Sequence, residues 1–485
     1  MSCPQDRPAS DNSRYSRLFG GPFESHDESH LRELSLRMKD VPANRRGRRR
    51  QGDLAPSAFV YLGQFLGHDL TRDETRLADA KNEPPEKTRN CHLPRLNLES
   101  VFGGGPDGSP ELYDLTERGA ETFLIGKTKA VQTQDIPSTR DDFVRLNGKP
   151  LLADARNDQH LIIAQLHVVF LKFHNRIVDL IKHRELTHAT RPNETIFETA
   201  RRLSVWHYQW IVRNEFLKWF ALPEILKDVA DRGPRFFDAE HGKGLQPLPV
   251  EFTQAAFRFG HSMVQPQYEI NRWIGLVRVR DLVRKNLPGK NGDPLPANKV
   301  VDWDRFTRRW GANANFAENI DTLIPADMFH LPAAAMPVPF ETTPPPLPEM
   351  TLVRGSRIGL PSGQEACRAT AIRPIPAAKL GSDDESNAFL RQRGLNEKTP
   401  LWYYLLREAE LFGIRRFHGG ECLGPLGSRI MVEVLLGILD ADSNYYSNVD
   451  PNWKPLIAVF GATREERRLD TLRKFIVFAQ SRQSL

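Results

Sequence analysis

Residues 158–181 contain Gln159-His-Leu-Ile-Ile-Ala-Gln-Leu-His-Val-Val-Phe-Leu-Lys-Phe-His-Asn-Arg-Ile-Val178, a helical stretch with apolar side chains on nearly every face. A helix at a surface needs only one apolar stripe, and one that is apolar all round must be enclosed by other elements. This segment is therefore expected at the centre of the fold. At 485 residues the chain is long enough to build a large core around it.

The remaining pattern is mostly helical. Phe59 to Leu70 reads as the first buried helix. Asn193 is placed to cap a second long helix running through Phe216. Further helices are expected over Phe252 to Val264, Leu401 to Phe412 and Gly427 to Leu439. Residues 72–150 are rich in Gly, Pro, Asp and Asn and read as long loops, as do the Pro-rich segments 286–297 and 331–348. Alternating strand patterns are few, and no internal repeat is found. The fold class is mainly α with long irregular loops and little β. The loops look like excursions from one core, so residues 56–485 are expected to form a single domain, preceded by a polar, arginine-rich tail over residues 1–55.

Charge and cysteines narrow the classes further. Lys and Arg number 67 against 61 Asp and Glu, and the sharpest basic cluster is Arg45-Arg-Gly-Arg-Arg-Arg50. No interleaved aromatics or recognisable nucleic-acid module accompany it, so it reads as a solvated connector and no nucleic-acid partner is expected. The four cysteines, Cys3, Cys91, Cys367 and Cys422, lack CxxC spacing and suggest neither a zinc site nor a disulfide framework. The apolar run Ile430 to Leu439 is too short to cross a bilayer, so no membrane span is expected. The first residues contain no apolar signal region, and a cytoplasmic location follows as an expectation. Nothing in the sequence specifies an oligomeric state.

The chemistry concentrates in Ala58-Phe-Val-Tyr-Leu-Gly-Gln-Phe-Leu-Gly-His-Asp-Leu70. Gln64 and His68 stand one helical turn apart and share a face, while Asp69 points about 100° away. Such polar groups are costly on so apolar a helix unless each has a task. Four later segments carry the same suggestion. They are Asp154-Ala-Arg156 before the apolar helix ending His174-Asn-Arg176, then Trp206-His-Tyr-Gln-Trp210, then Ala256-Phe-Arg-Phe-Gly-His261. The last is a C-terminal group containing Arg354-Gly355, Gly359-Leu-Pro-Ser-Gly-Gln364, Thr399-Pro-Leu-Trp402 and Leu423-Gly-Pro-Leu-Gly-Ser-Arg429. Together and in this order they resemble the animal-type haem peroxidases of the peroxidase–cyclooxygenase superfamily, over roughly residues 15–460.

The resemblance implies a role for each residue. His261 matches the proximal histidine, and a neutral imidazole is the usual axial ligand of haem iron in peroxidases. His68 matches the distal histidine, which takes a proton from hydrogen peroxide and returns it to the leaving oxygen. Arg156 matches the distal arginine, a fixed cation beside the charge that builds during O–O cleavage. Gln64 lies beside them, and Arg258 would reach the haem rim or a propionate. The implied function is reduction of hydrogen peroxide through an oxoferryl state, with oxidation of a small donor such as a phenol, halide or thiocyanate.

Departures from the family pattern sharpen this picture. Mammalian members bind haem through esters at two positions that are Gly67 and Gln159 here, and neither side chain forms an ester. Haem b is therefore expected to be non-covalent. Fatty-acid oxygenases of the superfamily carry a tyrosine three residues before the proximal histidine, where this chain has Arg258, so an oxygenase is the alternative. A catalytically impaired, haem-poor scaffold is the other. Its motivation is Thr351, which falls where the family has the asparagine that hydrogen-bonds the proximal histidine. The family's calcium loop is matched only in part by Leu93-Pro-Arg-Leu-Asn-Leu-Glu-Ser-Val-Phe-Gly103. Asp69, Asn97, Glu99 and the Arg95 carbonyl are the oxygen donors a calcium ion would use. His160, His167 and His174 recur at seven-residue intervals on one helix and read as packing or supporting residues, since no carboxylate joins them.

Overall fold

The structure is a computed structural model. It describes residues 14–481 apart from 22, 24, 41–53, 74, 76–83, 117–120, 133–135, 137–139, 187–188, 238–245, 284–292, 312, 332–343 and 457–467. The Arg45 to Arg50 cluster lies outside the described residues.

The apolar stretch forms helix Leu161–Lys182, and it is central as expected. Its start is set by His160, whose ring accepts the Ile162 N–H as an N-cap. The helix is long and apolar enough to cross a membrane, yet 83% of its apolar window is buried inside the fold. Three helices enclose it: Ala58–Leu70, Ile196–Ile211 and Leu472–Gln480. Their meeting line is a column of aromatic rings. Phe65 stacks on Phe170 at 4.7 Å, Phe170 meets Phe475 at 5.0 Å, and Phe475 stacks on Phe173 at 3.9 Å. Arrangements of this kind add about 0.5–1.5 kcal/mol per pair beyond the area they bury.

Several boundaries differ from the sequence reading. The second long helix is capped by Thr195, not Asn193, because Thr195 and Glu198 form a reciprocal capping box. Asn193 instead adopts a left-handed conformation at φ 67. That helix continues through a π-helical turn, Val212–Phe216. Residues 252–264 are not one helix. They split into Val250–Thr253, a 3-10 turn Ala256–Arg258 and Gly260–Met263. The break falls at Ala255, where φ −133 and ψ −73 leave the helical region. The Pro-rich segment ends earlier than expected, since helix Leu347–Arg357 begins with Pro348 in its first turn, where a missing N–H does no harm.

The N-terminal segment is also more than an extended tail. Glu28–Arg37 is a helix capped by Asp27 and buries Leu31 and Leu34 against Leu347–Arg357. Tyr15 and Ser16 pair in parallel with Leu248 and Pro249. The periodicity of so short a helix was masked by its charged residues. The cysteine reading is corrected as well: Cys91 is disulfide-bonded, while Cys367 and Cys422 are free and buried. Strand content is low, as expected. The ladders among the described residues are two-stranded and two or three residues long.

Irregular segments are held by buried carboxylates that accept backbone N–H groups. Glu433 accepts those of Arg235, Phe236 and Phe237 at 3.0, 2.6 and 3.1 Å. Glu251 accepts those of Leu18 and Phe19. Glu421 accepts those of Arg415, Arg416 and Phe417. Glu408 accepts those of Leu426 and Gly427 at 3.0 and 3.1 Å, at the start of helix Pro425–Ala441. A carboxylate there also complements the positive end of the helix dipole. Replacing Glu408 by leucine leaves two buried N–H groups unmet, which should lower unfolding free energy by about 2–4 kcal/mol. Glu408→Gln keeps one acceptor oxygen and should lose less. Urea unfolding followed by tryptophan fluorescence measures both, and equal losses would refute the assignment.

Candidate active site

Helix Ala58–Leu70 places Gln64 and His68 on one side and Asp69 on the other. Gln64 is exposed and His68 half-buried, so this side faces an opening in the fold. Asp69 points into the core, where it is fully buried. Gly63 and Gly67 complete the helix's apolar approach. A Cβ at Gly63 would meet the Phe216 ring at 3.3 Å, and one at Gly67 would meet the Phe257 ring at 3.6 Å. Phe257 belongs to the turn that leads to His261, so the two halves of the site approach each other here.

His68 and Arg156 are 88 residues apart in sequence and adjacent in space. An Arg156 Nη2 hydrogen donates to the His68 backbone carbonyl at 2.8 Å. The rest of Arg156 is held by Asp154, whose carboxylate accepts from Nε at 3.0 Å and from Nη2 at 2.6 Å. Asp154 also caps the 3-10 turn Ala155–Asp158 by accepting the Arg156 backbone N–H at 2.9 Å. These contacts run through Nε and Nη2. The His92 ring stands 3.4 Å from the same carboxylate. Asp154 is held well below the ordinary carboxylate range; burial opposes this, and the Arg156 charge with the hydrogen bonds from His92 and Arg156 overcomes it.

The His68 ring is anchored from behind. Its Nδ1 lies 2.8 Å from Asn157 Oδ1, and Asn157 Nδ2 lies 3.0 Å from His167 Nδ1. Burial, then the Arg156 charge, push the His68 pKa down to about 4. The imidazole is therefore neutral at ordinary pH and able to accept a proton.

His261 sits at the start of the short helix Gly260–Met263. Its ring meets Trp402 edge-on at 5.8 Å, and its Nδ1 is buried with no hydrogen-bond partner among the described residues. Burial and the neighbouring Arg258 charge push its pKa down to about 3, which keeps the ring neutral. Thr351 does not supply the partner expected of it. Its hydroxyl donates to the Leu347 carbonyl at 2.9 Å, one turn back on its own helix. A threonine's short reach in a helix favours that bond over a distant one.

Arg258 donates to Gln254 Oε1 at 2.5 Å and to the Thr253 carbonyl at 3.2 Å. Arg354 pairs with Asp73 and donates to the Thr75 carbonyl. The charges of Arg156, Arg354 and Arg258 all act on the buried Tyr15 hydroxyl, with Asp73 opposing them. Burial and the Arg354 charge lower the Arg258 pKa to about 10. Arg156 and Arg354 have carboxylate partners in Asp154 and Asp73, while Arg258 has none among the described residues, which suits it to an anionic group. Tyr15, Asp73 and Asn157 went unnoticed as contributors in the sequence, whereas Asp154 stood in the Asp154-Ala-Arg156 motif. Of the three, Asn157 carried a signal, its place directly after Arg156.

The residues expected to hold calcium are arranged otherwise. The two Asp69 oxygens accept the N–H groups of Leu98 and Ser100, each at 3.1 Å. Asn97 Oδ1 accepts the Glu99 N–H at 3.1 Å, and the Arg95 side chain faces Asp442. Among the described residues no group of three or more His, Cys, Asp or Glu side chains forms a metal cluster. His160, His167 and His174 do not converge, in keeping with a packing role: His174 Nε2 donates to the Glu121 carbonyl at 2.7 Å, and His160 stacks on Tyr61.

Comparison with known proteins follows the same outline. Residues 118–291 match the family model for the animal haem peroxidases, a span that includes Arg156 and His261 and leaves His68 outside. Over 253 residues the chain is 30% identical to heme peroxidase 2 of Caenorhabditis elegans, covering 42% of this chain and 34% of that protein. It is 28% identical over 158 residues to the chorion peroxidase of Drosophila melanogaster, covering 32% of this chain and 18% of that one. The chain thus spans about a third or less of the length of these curated relatives. In fold it resembles peroxidase A from Dictyostelium discoideum, with a TM-score of 0.64, 15% identity, and coverage of 99% of this chain and 96% of that one. It also resembles the fatty acid alpha-dioxygenase of Oryza sativa, with a TM-score of 0.59, 14% identity, and coverage of 96% and 79%.

The buried histidines set how stability depends on pH. Burial holds His68, His160, His167, His174, His207 and His261 at pKa values of about 3 to 4. In the unfolded chain the same rings take up protons below about 6.5. The stability they contribute is whole above that value and is lost as pH falls toward 4. Glu215 and Glu408, raised to about 7, and Asp69, raised to about 6, act in the opposite sense but are fewer. The urea midpoint should therefore drop between pH 7 and pH 5, and a midpoint that rose over that interval would contradict the neutral-histidine core.

Proposed function

We propose that this chain, which belongs to the animal haem peroxidase family, reduces hydrogen peroxide with haem b held non-covalently and oxidises a small donor. The observation that carries the proposal is the part-buried pairing of His68 with Arg156, together with a His261 whose Nδ1 has no hydrogen-bond partner among the described residues. The family implies haem, and the residues present fit it. A neutral imidazole is what an iron ligand requires. The arginine cluster of Arg258 and Arg354 suits the two carboxylates on a haem edge. Gly67, facing the Phe257 ring, and Gln159 offer no carboxylate for an ester.

When bound, the haem iron supplies the redox chemistry of O–O cleavage. The chain supplies the rest. His68 accepts a peroxide proton and passes it to the departing oxygen. Arg156, fixed by Asp154, places a permanent cation beside that oxygen. Gln64, one turn from His68 and exposed, is the polar neighbour of whatever occupies the opening. Arg258 holds the position where the oxygenases carry their tyrosine, which favours the peroxidase over the oxygenase reading. Calcium is not part of the proposal. The Cys91 disulfide favours an oxidising compartment, since such bonds persist mainly there.

His261→Ala should remove the Soret band of the purified protein or abolish its histidine-ligated form. His68→Ala should keep the haem and slow the reaction with peroxide by roughly 10²-fold or more, the scale of a positioned acid–base group. Acid-acetone should extract unmodified haem from the wild type. Stopped-flow mixing with peroxide decides the catalytic part: a His68→Ala protein reacting at the wild-type rate would refute it.

A further inference from the structure

Asn157 is fully buried, sits on the 3-10 turn Ala155–Asp158 directly after Arg156, and touches two imidazoles. We infer that Asn157 is the positioning residue of the distal site, an amide that holds His68 in the tautomer whose Nε2 is free to take the peroxide proton. The inference rests on the peroxidase reading above and deepens it.

The argument is one of donors and acceptors. An amide oxygen carries no hydrogen, so the 2.8 Å contact from Asn157 Oδ1 requires the hydrogen to reside on His68 Nδ1. A neutral imidazole has one N–H, and Nε2 is then left with its lone pair. On the other side the amide nitrogen is a donor only, so its 3.0 Å contact requires an unprotonated Nδ1 on His167. His167 is 1% exposed, and burial favours its neutral form, whose Nδ1 accepts when the ring hydrogen is on Nε2. The amide is thus held between one ring that must donate and one that must accept. Turned over, it would place its NH₂ against His68 Nδ1. That arrangement would put the ring's hydrogen on Nε2, where it blocks the base. It would also oppose the doubly protonated ring that forms when His68 takes the peroxide proton. With the oxygen toward His68, the same hydrogen bond persists and strengthens as the ring becomes cationic. The other charged or titratable groups acting on His68 are Arg156, Asp154 and His92. Arg156 and Asp154 belong to the same turn as Asn157, so the distal cation and the tautomer lock are delivered by one short segment.

Cyanide binding to the ferric holoenzyme is a probe separate from peroxidase turnover. Hydrogen cyanide must surrender a proton as its anion binds the iron, and a distal base accepts it. Haem content, thermal midpoint and the Soret-detected association rate across pH 5 to 8 would be recorded for wild type, His68→Ala, Asn157→Leu, Asn157→Asp and His167→Leu. Asn157→Leu should keep its haem and associate with cyanide roughly 10-fold or more slowly, the scale for loss of a partner that orients a working imidazole. Asn157→Asp keeps an acceptor toward His68 and adds a negative charge. It should restore much of the rate and move the pH midpoint of association upward. His167→Leu, which releases the amide from the other side, should slow association in the same direction as Asn157→Leu, and it decides the question if Asn157→Leu does not fold. A purely structural role would change haem content or thermal midpoint and leave the rates and pH profile of the folded protein as in wild type. Wild-type rates and profiles in the Asn157 and His167 variants, alongside slow association in His68→Ala, would overturn the role of Asn157 alone. Wild-type association in His68→Ala, or a wild type without a Soret band, would overturn the peroxidase reading and this inference with it.

Discussion

A buried carboxylate accepting backbone N–H groups is the contact on which this structure depends most. A fold with long irregular connections leaves many amide donors without helix or ladder partners, and each unmet buried donor costs about 1–3 kcal/mol. Glu251, Glu408, Glu421 and Glu433 each satisfy two or three such donors at once. Asp69 does the same for Leu98 and Ser100 beside the candidate site, where Asp154 accepts the Arg156 N–H. One acidic side chain thereby helps determine the course of a loop. The loops need no hydrophobic cores of their own, which explains how so few strands accompany so many turns.

The same device separates the two faces of helix Ala58–Leu70. Asp69 binds the loop at Leu98 and Ser100, and Leu98 is held there in a left-handed conformation at φ 57. That anchoring keeps the helix from rotating, and His68 on the adjoining face inherits the precision. On the opposite wall the helix breaks at Ala255, so His261 emerges from a short, separately oriented piece. The broken backbone costs helix hydrogen bonds but lets the imidazole meet Trp402 edge-on rather than pack along a continuous helix.

How much of this could be read from sequence follows from the range of each interaction. The central helix and the shared face of Gln64 and His68 were legible because periodicity is a local property. Arg156, His261 and Arg258 drew notice because their motifs are contiguous. Thr351 matched the place of an asparagine by register, and register alone cannot tell that its hydroxyl turns to Leu347, four residues back. The calcium donors were inferred from residue type, and type does not reveal that Asp69 spends its oxygens on amides. Glu28–Arg37 was missed because its apolar face is narrow amid charge. Tyr15 and Asp73 gave no local sign at all; they matter only because distant segments bring Arg258 and Arg354 to them.

Helix Leu161–Lys182 also constrains how the molecule comes into being. Its last major partner, Leu472–Gln480, is synthesised long after it, and the contact from Arg176 to the Ser481 carbonyl closes a separation of 305 residues. During translation a segment hydrophobic enough to enter a lipid bilayer therefore waits, incompletely covered, for the end of the chain. Until Phe475 arrives to stack on Phe173, an apolar face of this helix is uncovered in the nascent protein, the kind of surface on which folding intermediates aggregate. The column of rings at the centre of the finished fold is thus also the point at which its biosynthesis is most exposed to error.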